Sequence, residues 1–287
     1  MSRIFIKLTR DLLPKIRDRY PFLYLEKGRI EVNDSSVKWI DCDCNIVPLP
    51  IATIAALFLG PGTTITHAAI KSLAEANCLL CWVGEDSLNY YAFGISPTSN
   101  TRNYQKQVQL FSDNESRTEV VRKMYIKRFP NVDLSGMSIK EMMGLEGARV
   151  KKLYRDKAET YGIVWEGRNY IPGEIHSSDL PNRLLTVCNS ALYGIIGAVI
   201  HSMGLSPYIG FIHSGSPLPF VYDIADLYKE EVSVDLAFSL SKVMNDKYDR
   251  FEIMNAFKQR IIDQDILYRI TKDISAILEI KVDSCNS

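Results

Sequence analysis

The chain has 287 residues, which is enough for one or two domains with hydrophobic cores of their own. Hydrophobic residues make up 46% and charged residues 24%, ordinary values for a soluble globular protein. Lysine plus arginine and aspartate plus glutamate number 34 each, so the molecule as a whole has no general attraction to nucleic acid.

The charges are unevenly spread. Residues 101–170 hold 14 lysines and arginines against 9 acidic residues, whereas residues 222–287 hold 9 against 13. A basic middle and an acidic end suit a protein that grips a polyanion on one face, and they also suit two ordinary surfaces.

The cysteines and the N-terminus bear on location. No apolar run is long enough to span a bilayer, and the first 15 residues are too charged for a secretion signal, so we expect a cytoplasmic protein without disulfides.

Cys42-x-Cys44 and Cys78-x-x-Cys81 have spacings seen in zinc sites. The second pair lies in an apolar strand pattern, where an odd offset directs the two thiols to opposite faces, which disfavours zinc.

The first third of the chain predicts a β-rich domain. From Phe22 the pattern has period two, and turns at 27–28 and 33–34 predict an antiparallel meander. Residues 54–59, 78–83 and 88–93 predict further strands. Thr63 or Thr64 is expected to cap a helix that ends near Ala76.

Helical periodicity dominates the rest of the chain. We predict an α+β protein with a small β-rich domain of antiparallel strands plus one helix over 1–94, a linker over 95–102, and a larger all-α domain over 103–287. The predicted helices cover 103–111, 115–128, 138–161, 179–203, 217–228, 234–244 and 250–278.

The stretch 207–230 carries the strongest chemical signal. A helix is predicted to begin at Pro217, and it places Asp223 and Asp226 about one turn apart on one face. Two neighbouring carboxylates beside an apolar stripe favour a cation between them, and His213 lies at the head of the same helix. The same pattern also fits a solvated helix face and a structural histidine, so a further carboxylate is needed.

Glu146 is the candidate for that carboxylate. Glycines 144 and 147 flank it inside a predicted helix, although glycine costs about 1 kcal/mol there relative to alanine. Close approach of a ligand or of another backbone explains such glycines, and the alternative is a helix break or a tight helix–helix crossing with Glu146 exposed.

Taken together, these motifs resemble a known family. GLEGARV at 144–150, ALYG at 191–194, GFIHSG at 210–215 and FVYDIAD at 220–226 are similar to the CRISPR-associated adaptation integrase, the "Cas-one" endonuclease, in its type I-E form. The resemblance covers nearly the whole chain. It implies that Glu146, His213 and Asp226 bind one Mg²⁺ or Mn²⁺ ion and that Asp223 is also needed for activity.

The resemblance also implies a reaction and partners. The 3′-hydroxyl of a short prespacer duplex attacks a phosphodiester at the CRISPR repeat, so double-stranded DNA is the substrate and no protein nucleophile is required. Family members form homodimers through their β domains, and two such dimers bracket a dimer of the small "Cas-two" partner.

Several residues are candidate DNA contacts. Tyr170, Tyr193 and Tyr222 match tyrosines near the family's active site, and core packing is the alternative role. Lys71 lies where relatives carry a basic DNA contact. Arg122 and Lys123, continued by residues 127–128, are candidates to hold backbone phosphates or else form a solvated helix face.

The chain departs from the family pattern at four positions, which affects how DNA ends are handled. Thr64 and Asn89 stand where arginines are expected, Ser216 replaces a lysine, and Lys27 stands where an aromatic wedge is expected. Two other functions compete with the integrase: a catalytically idle DNA-binding scaffold subunit, and a general metal-dependent nuclease on branched DNA or RNA.

Overall fold

The structure is a computed structural model that describes residues 13–34, 36–84, 90–94, 101–169, 178–244 and 248–280. Its β strands all lie in the first third of the chain, and long helices follow, as predicted. The strands are β1 Tyr20–Leu25, β2 Gly28–Asn33, β3 Ser36–Asp41, β4 Ile46–Pro48, β5 Ile54–Leu59, β6 Thr63–Ile65, β7 Leu79–Val83 and β8 Tyr90–Gly94.

The strands form two mixed sheets, with the orders β1-β5-β7-β8 and β4-β3-β2-β6. The β2–β3, β3–β4 and β7–β8 pairs are antiparallel. The β1–β5, β5–β7 and β2–β6 pairs are parallel, so the expectation of antiparallel strands throughout was wrong. A period-two pattern shows which residues share a face, but it does not show which distant strand pairs with which.

Helix α1, His67–Glu75, connects the two halves of this β region. Thr66 caps it, accepting a hydrogen bond from the backbone N–H of Ala69 at 3.3 Å. Thr63 and Thr64, the predicted caps, belong instead to strand β6. The β-branched threonines there extend the second sheet, so the helix starts later than predicted.

The helical region matches the predicted order, but the last predicted helix needs correction. The predicted helix over 250–278 is two helices, because Asp265 between them has φ +50°, in the left-handed region that breaks a helix. The helices are α2 Arg102–Ser112, α3 Asn114–Arg128, α4 Ile139–Tyr161, α5 Leu180–Ser202, α6 Pro219–Ala225, α7 Asp235–Met244, α8 Arg250–Asp263 and α9 Ile266–Leu278.

Helix α5 is the centre of the helical region. Asp179 caps it through its side chain, and nearly all faces of the helix are buried. Within the described residues it is the one helix long and apolar enough to cross a membrane, but 72% of its most apolar window is buried by the protein. It is therefore the core helix on which the other elements pack.

The first sheet packs between two cores. One face meets the second sheet and α1, and the other meets the helical region, where Phe22 stacks on Phe58 and lies 6.1 Å from Phe257. Cys78 belongs to the first of these cores and Cys81 to the second, so the thiols face opposite sides as predicted. Residues 95–100 of the predicted linker lie outside the described residues, and the domain boundaries remain a prediction.

Half-buried His201 at the end of α5 gives a pH prediction. Burial lowers its pKa to about 4, from about 6.5 in the unfolded chain. Because the unfolded chain binds the proton first, the stabilising contribution is complete above pH 6.5 and is lost as the pH falls toward 4, at about 1.4 kcal/mol per pH unit. We expect the free energy of unfolding of His201→Gln, measured in urea, to depend less steeply on pH between pH 4 and 6.5.

The matched control is the exposed His67 at the start of α1. His67→Gln should leave the slope of the wild-type protein unchanged. An unchanged slope in His201→Gln would show that the buried imidazole does not govern stability in this pH range.

Candidate active site

The loop between α5 and α6 carries His213, and two helices hold this loop from outside. Fully buried Gln107 on α2 donates to the carbonyls of Ser206 and Ile209, both at 2.9 Å. Its carbonyl oxygen accepts the N–H of Ser206 at 2.8 Å. Arg117 on α3 donates to the carbonyl of Phe211 at 3.0 Å. Residues 206–211, which precede His213, are therefore held in place by α2 and α3.

The entry to α6 is tightly packed. The helix begins at Pro219 and not at Pro217 as predicted, and Pro219 occupies its first turn. A Cβ atom on Gly210 would lie 2.7 Å from the backbone of Pro219 and 2.9 Å from the carbonyl oxygen of His213. Only glycine fits at this crossing of the loop and the helix.

Asp223 on α6 is the internal anchor of the loop. Its side chain has no exposed surface, and it accepts backbone N–H groups from Phe211 at 2.5 Å, Ile212 at 3.1 Å and His213 at 2.9 Å. A buried carboxylate is stable only with such partners. Asp223 is thus a positioning residue that shapes the loop, a role that the sequence left open.

Asp223 also orients the imidazole of His213. Its Oδ1 lies 2.8 Å from Nδ1 of the ring, and the tautomer that donates from Nδ1 leaves the lone pair on Nε2. Nε2 lies 3.8 Å from Oδ2 of Asp226. The hydrogen bond to Asp223 raises the pKa of His213, burial opposes this, and the charge of Asp226 adds to it.

Asp226 follows the last residue of α6 and has a side chain only 9% exposed. Its Oδ1 pairs with Lys229 at 2.7 Å, and its Oδ2 lies 3.9 Å from Nη1 of Arg128. Burial disfavours the charge on Lys229, but Asp226 and Tyr193 outweigh it and raise the pKa of the ammonium above its usual range. Asp223 and Asp226 both face His213, as the three-residue spacing predicted.

Glu146 lies on α4, which begins with a capping box between Ser138 and Glu141 and runs unbroken past both glycines. Its Oε2 accepts a hydrogen bond from the buried hydroxyl of Tyr125 at 2.6 Å, and its Oε1 pairs with Arg128. Burial and the hydrogen bond to Glu146 raise the pKa of Tyr125, so this hydroxyl remains a donor.

These contacts link Glu146, Asp226 and His213 in a row through Arg128. Arg128 contacts Glu146 and lies near Asp226, which in turn lies near His213. Carboxylates and one imidazole are donors that Mg²⁺ and Mn²⁺ accept. In the described part of the chain, no three His, Cys, Asp or Glu side chains converge closely enough as they stand to hold a metal ion.

The site opens onto two cavities that both border α4. One, of about 850 Å³, is lined by Glu146, Gly147 and His213 with Lys151 and Trp165. Within the described part of the chain, a Cβ atom on either Gly144 or Gly147 would meet no atom within 4 Å beyond the helix's own nearby backbone. The glycines therefore do not serve a helix crossing, and they leave open space beside Glu146.

The second cavity, of about 740 Å³, also borders α4 and shares Val150 and Tyr154 with the first. Glu146 lines this cavity as well, together with Arg128, Asp226 and Lys229. Glu146 thus lines both cavities.

Two predicted tyrosines form a wall of the site. The ring of Tyr222 meets the His213 ring edge-on at 6.0 Å, and the ring of Tyr193 meets Tyr222 edge-on at 5.0 Å. The ammonium of Lys229 lies 5.2 Å from the centre of the Tyr193 ring. Both tyrosines therefore pack beside the site, and their contact with DNA stays a prediction.

Comparison with known proteins decides the family. A family model described as CRISPR associated protein Cas1 matches residues 125–273, which include all four candidate site residues. A protein of Chlorobaculum tepidum named "CRISPR-associated endonuclease Cas1 2" is 54% identical over 277 residues, covering 96% of this chain and 94% of the relative. The chain belongs to the Cas1 family.

Solved structures of Cas1 proteins share this fold. A structure described as "Crystal structure of TtCas1-DNA complex" has a TM-score of 0.67 and 36% identity, covering 93% of this chain and 99% of that one. A Cas1 protein from Thermotoga maritima has a TM-score of 0.75 and 15% identity, covering 93% and 100%, which supports the fold alone. The β-rich region followed by the helical region is therefore the Cas1 architecture.

The other predicted DNA contacts of this Cas1 protein lie outside the cluster around His213. Lys71 is exposed on α1 and lies 3.9 Å from Glu75. Arg122 pairs with Glu119 and Lys123 with Glu279, each at 2.5 Å, on a part of α3 that lines a different cavity. Their contact with DNA stays a prediction, and Tyr170 lies outside the described residues.

Sequence reasoning missed three residues of this Cas1 site. Arg128 belonged to a predicted phosphate-binding run, but it pairs with Glu146 inside the site. Lys229 follows Asp226 by three residues, a spacing that places both on one side of a helix, and this signal was present in the sequence. Tyr125 had no signal, because its contact with Glu146 depends on the packing of α3 against α4.

Proposed function

We propose that the protein is the metal-dependent DNA integrase of CRISPR adaptation. In this reaction the 3′-hydroxyl of a short duplex attacks a phosphodiester of the repeat, one P–O bond forms as another breaks, and the released 3′-oxygen takes up a proton. The observation that carries the proposal is the row of contacts within a Cas1 fold in which Arg128 pairs with Glu146 and lies near Asp226, which in turn lies near His213.

The donor set supports a divalent cation at this position. Arg128 already lies beside both carboxylates, so the site holds a positive charge of the protein's own where Mg²⁺ or Mn²⁺ would bind. Glu146, His213 and Asp226 would hold the ion. When bound, it would polarise the scissile phosphate and stabilise the attacking or leaving oxygen.

The protein's own residues prepare the site for a phosphodiester. Asp223 holds the loop in place and keeps His213 in one orientation and one tautomer, with Nε2 free to bind a cation. An imidazole that rotated freely would not present this nitrogen in a fixed position. Lys229 keeps its proton and leaves a positive charge beside Asp226, where the negative charge of DNA would arrive. These roles need no protein nucleophile.

The space around the site supports a substrate with two strands. Cavities of about 850 Å³ and 740 Å³ both reach Glu146, and no described residue fills the space beside Gly147. Strand transfer needs both an attacking end and a target strand at one site. The related TtCas1 protein forms a complex with DNA, which also supports DNA as the substrate.

We further propose the assembly that the family resemblance implies. The protein forms a homodimer through its β region, and two dimers bracket a "Cas-two" dimer, acting in the prokaryotic cytoplasm as a type I-E-like system. Strand β4 lies at the edge of its sheet and exposes Ile46 and Val47, which favours an interface on this face. The motif set at 144–150 and 220–226 supports the subtype.

A strand-transfer assay tests the proposal. A labelled duplex with 3′-hydroxyl ends is incubated with a supercoiled plasmid carrying the neighbouring repeat array, the purified protein, the "Cas-two" partner and Mn²⁺ or Mg²⁺. We expect label joined to the plasmid at the repeat boundary. Chelation of the metal should abolish the joined product, and 3′-dideoxy ends should abolish it equally.

The assay separates the competing functions. Cleavage of branched DNA or RNA that is indifferent to 3′-dideoxy ends, with no joined product, would identify a hydrolytic nuclease. DNA binding without any covalent product in either metal would identify an idle scaffold subunit. Both results would contradict the integrase.

A further inference from the structure

The two carboxylates of the site each have one oxygen already fixed. Oε2 of Glu146 accepts from Tyr125 at 2.6 Å, and Oδ1 of Asp226 pairs with Lys229 at 2.7 Å. Neither of these contacts involves Arg128. Each carboxylate therefore keeps one hydrogen-bond partner even if its second oxygen exchanges Arg128 for a metal ion.

The two remaining oxygens both face one guanidinium. Nη1 of Arg128 contacts Oε1 of Glu146 and lies 3.9 Å from Oδ2 of Asp226. The same Oδ2 lies 3.8 Å from Nε2 of His213, whose other nitrogen is held by Asp223. The oxygens that a cation would use are thus the ones that Arg128 occupies, and the imidazole nitrogen lies beside one of them.

Arg128 has room to leave. It is the last residue of α3 and lines the cavity of about 740 Å³, which Glu230, Glu231 and Asp235 also line. The neighbouring ring of Phe129 lies 5.3 Å from the guanidinium. A displaced guanidinium would find carboxylates and an aromatic face within the same cavity.

We propose that Arg128 is the resident counter-cation of the site and that a divalent metal ion binds by displacing it from Glu146 and Asp226. This inference rests on the proposed metal site. It accounts for the lack of a converged donor set among the described residues, because the guanidinium stands between Glu146 and Asp226. Arg128 thereby sets how much free metal the protein needs before the site is complete.

Metal binding without DNA tests the inference. We expect Arg128→Met to bind Mn²⁺ at least about tenfold more tightly than the wild-type protein by calorimetry, because the metal no longer competes with a charge-assisted pair. The matched control is Arg149→Met, since Arg149 is exposed and lies 4.4 Å from the same Phe129 ring. The control should stay within about twofold of the wild-type affinity.

The metal-free variant should also melt at a lower temperature, since two carboxylates lose their common partner, and Mn²⁺ should raise its melting temperature more than that of the wild-type protein. Equal or weaker Mn²⁺ binding by Arg128→Met would overturn the counter-cation role and leave the metal site intact. Absence of Mn²⁺ binding in both proteins would overturn the metal site and this inference with it.

A second measurement uses the wild-type protein and does not depend on how the variant folds. Arginine side-chain NMR, with the Arg128 signal assigned by Arg128→Lys, should show slow guanidinium rotation in metal-free protein. Saturating Mg²⁺ should speed this rotation and shift the signal. An unchanged Arg128 signal at Mg²⁺ saturation would contradict displacement.

Discussion

Asp223→Asn should destabilise the protein by about 3 kcal/mol or more in urea unfolding, the largest stability effect that we expect at the site. The aspartate is fully buried and accepts three backbone N–H groups and one imidazole N–H. Asparagine supplies one acceptor oxygen and turns an amide N–H toward other donors, so at least one buried N–H loses its partner.

A second readout separates the positioning role of Asp223 from stability alone. Nitrogen NMR of His213 should show a proton on Nδ1 in the wild-type protein and a mixture of tautomers in folded Asp223→Asn. Asp156→Asn, an exposed aspartate on α4, is the control and should change stability by less than about 0.5 kcal/mol. A stable Asp223→Asn with an unchanged His213 tautomer would contradict the anchoring role.

Glu146→Gln and His213→Gln should each lower the rate of strand transfer by about a thousandfold or more. Both side chains are proposed to hold the same ion, so removal of one already disables the site. The double variant should therefore be little slower than either single variant, a strongly non-additive result. Single-turnover rates with labelled DNA ends measure this cycle.

Glu119→Gln is the matched control, because Glu119 on α3 also pairs with an arginine but lines the cavity with Arg122 and Lys123. It should transfer strands within about twofold of the wild-type rate. Full activity of Glu146→Gln, or losses that add independently in the double variant, would show that the two residues do not act at one centre.

The sequence predicted the order of elements well because each depends on local patterns. The apolar alternation in strand β5 and the helical periods of α3, α4 and α5 recur in the structure within a few residues. The pairing of distant strands could not be predicted from the sequence. The parallel register that places Phe22 opposite Ala56 joins segments far apart in the chain, and a local pattern carries no information about it.

In the candidate site, too, features that depend on local spacing were predicted and features that depend on packing were not. The three-residue spacing predicted that Asp223 and Asp226 share one face, and both carboxylates lie beside His213. The spacing did not predict that one carboxylate is wholly buried and serves the loop while the other faces the cavity. Arg128 also had an unexpected role, because a basic run indicates a solvated or phosphate-binding face until the packing of α3 against α4 is known.

The most direct test is a crystal structure of the protein soaked in Mn²⁺, with an anomalous difference map recorded near the manganese edge. We expect one strong peak bonded to Glu146, His213 and Asp226, with the Arg128 side chain moved away from both carboxylates. An active protein whose manganese peak lies elsewhere, away from these three side chains, would contradict it.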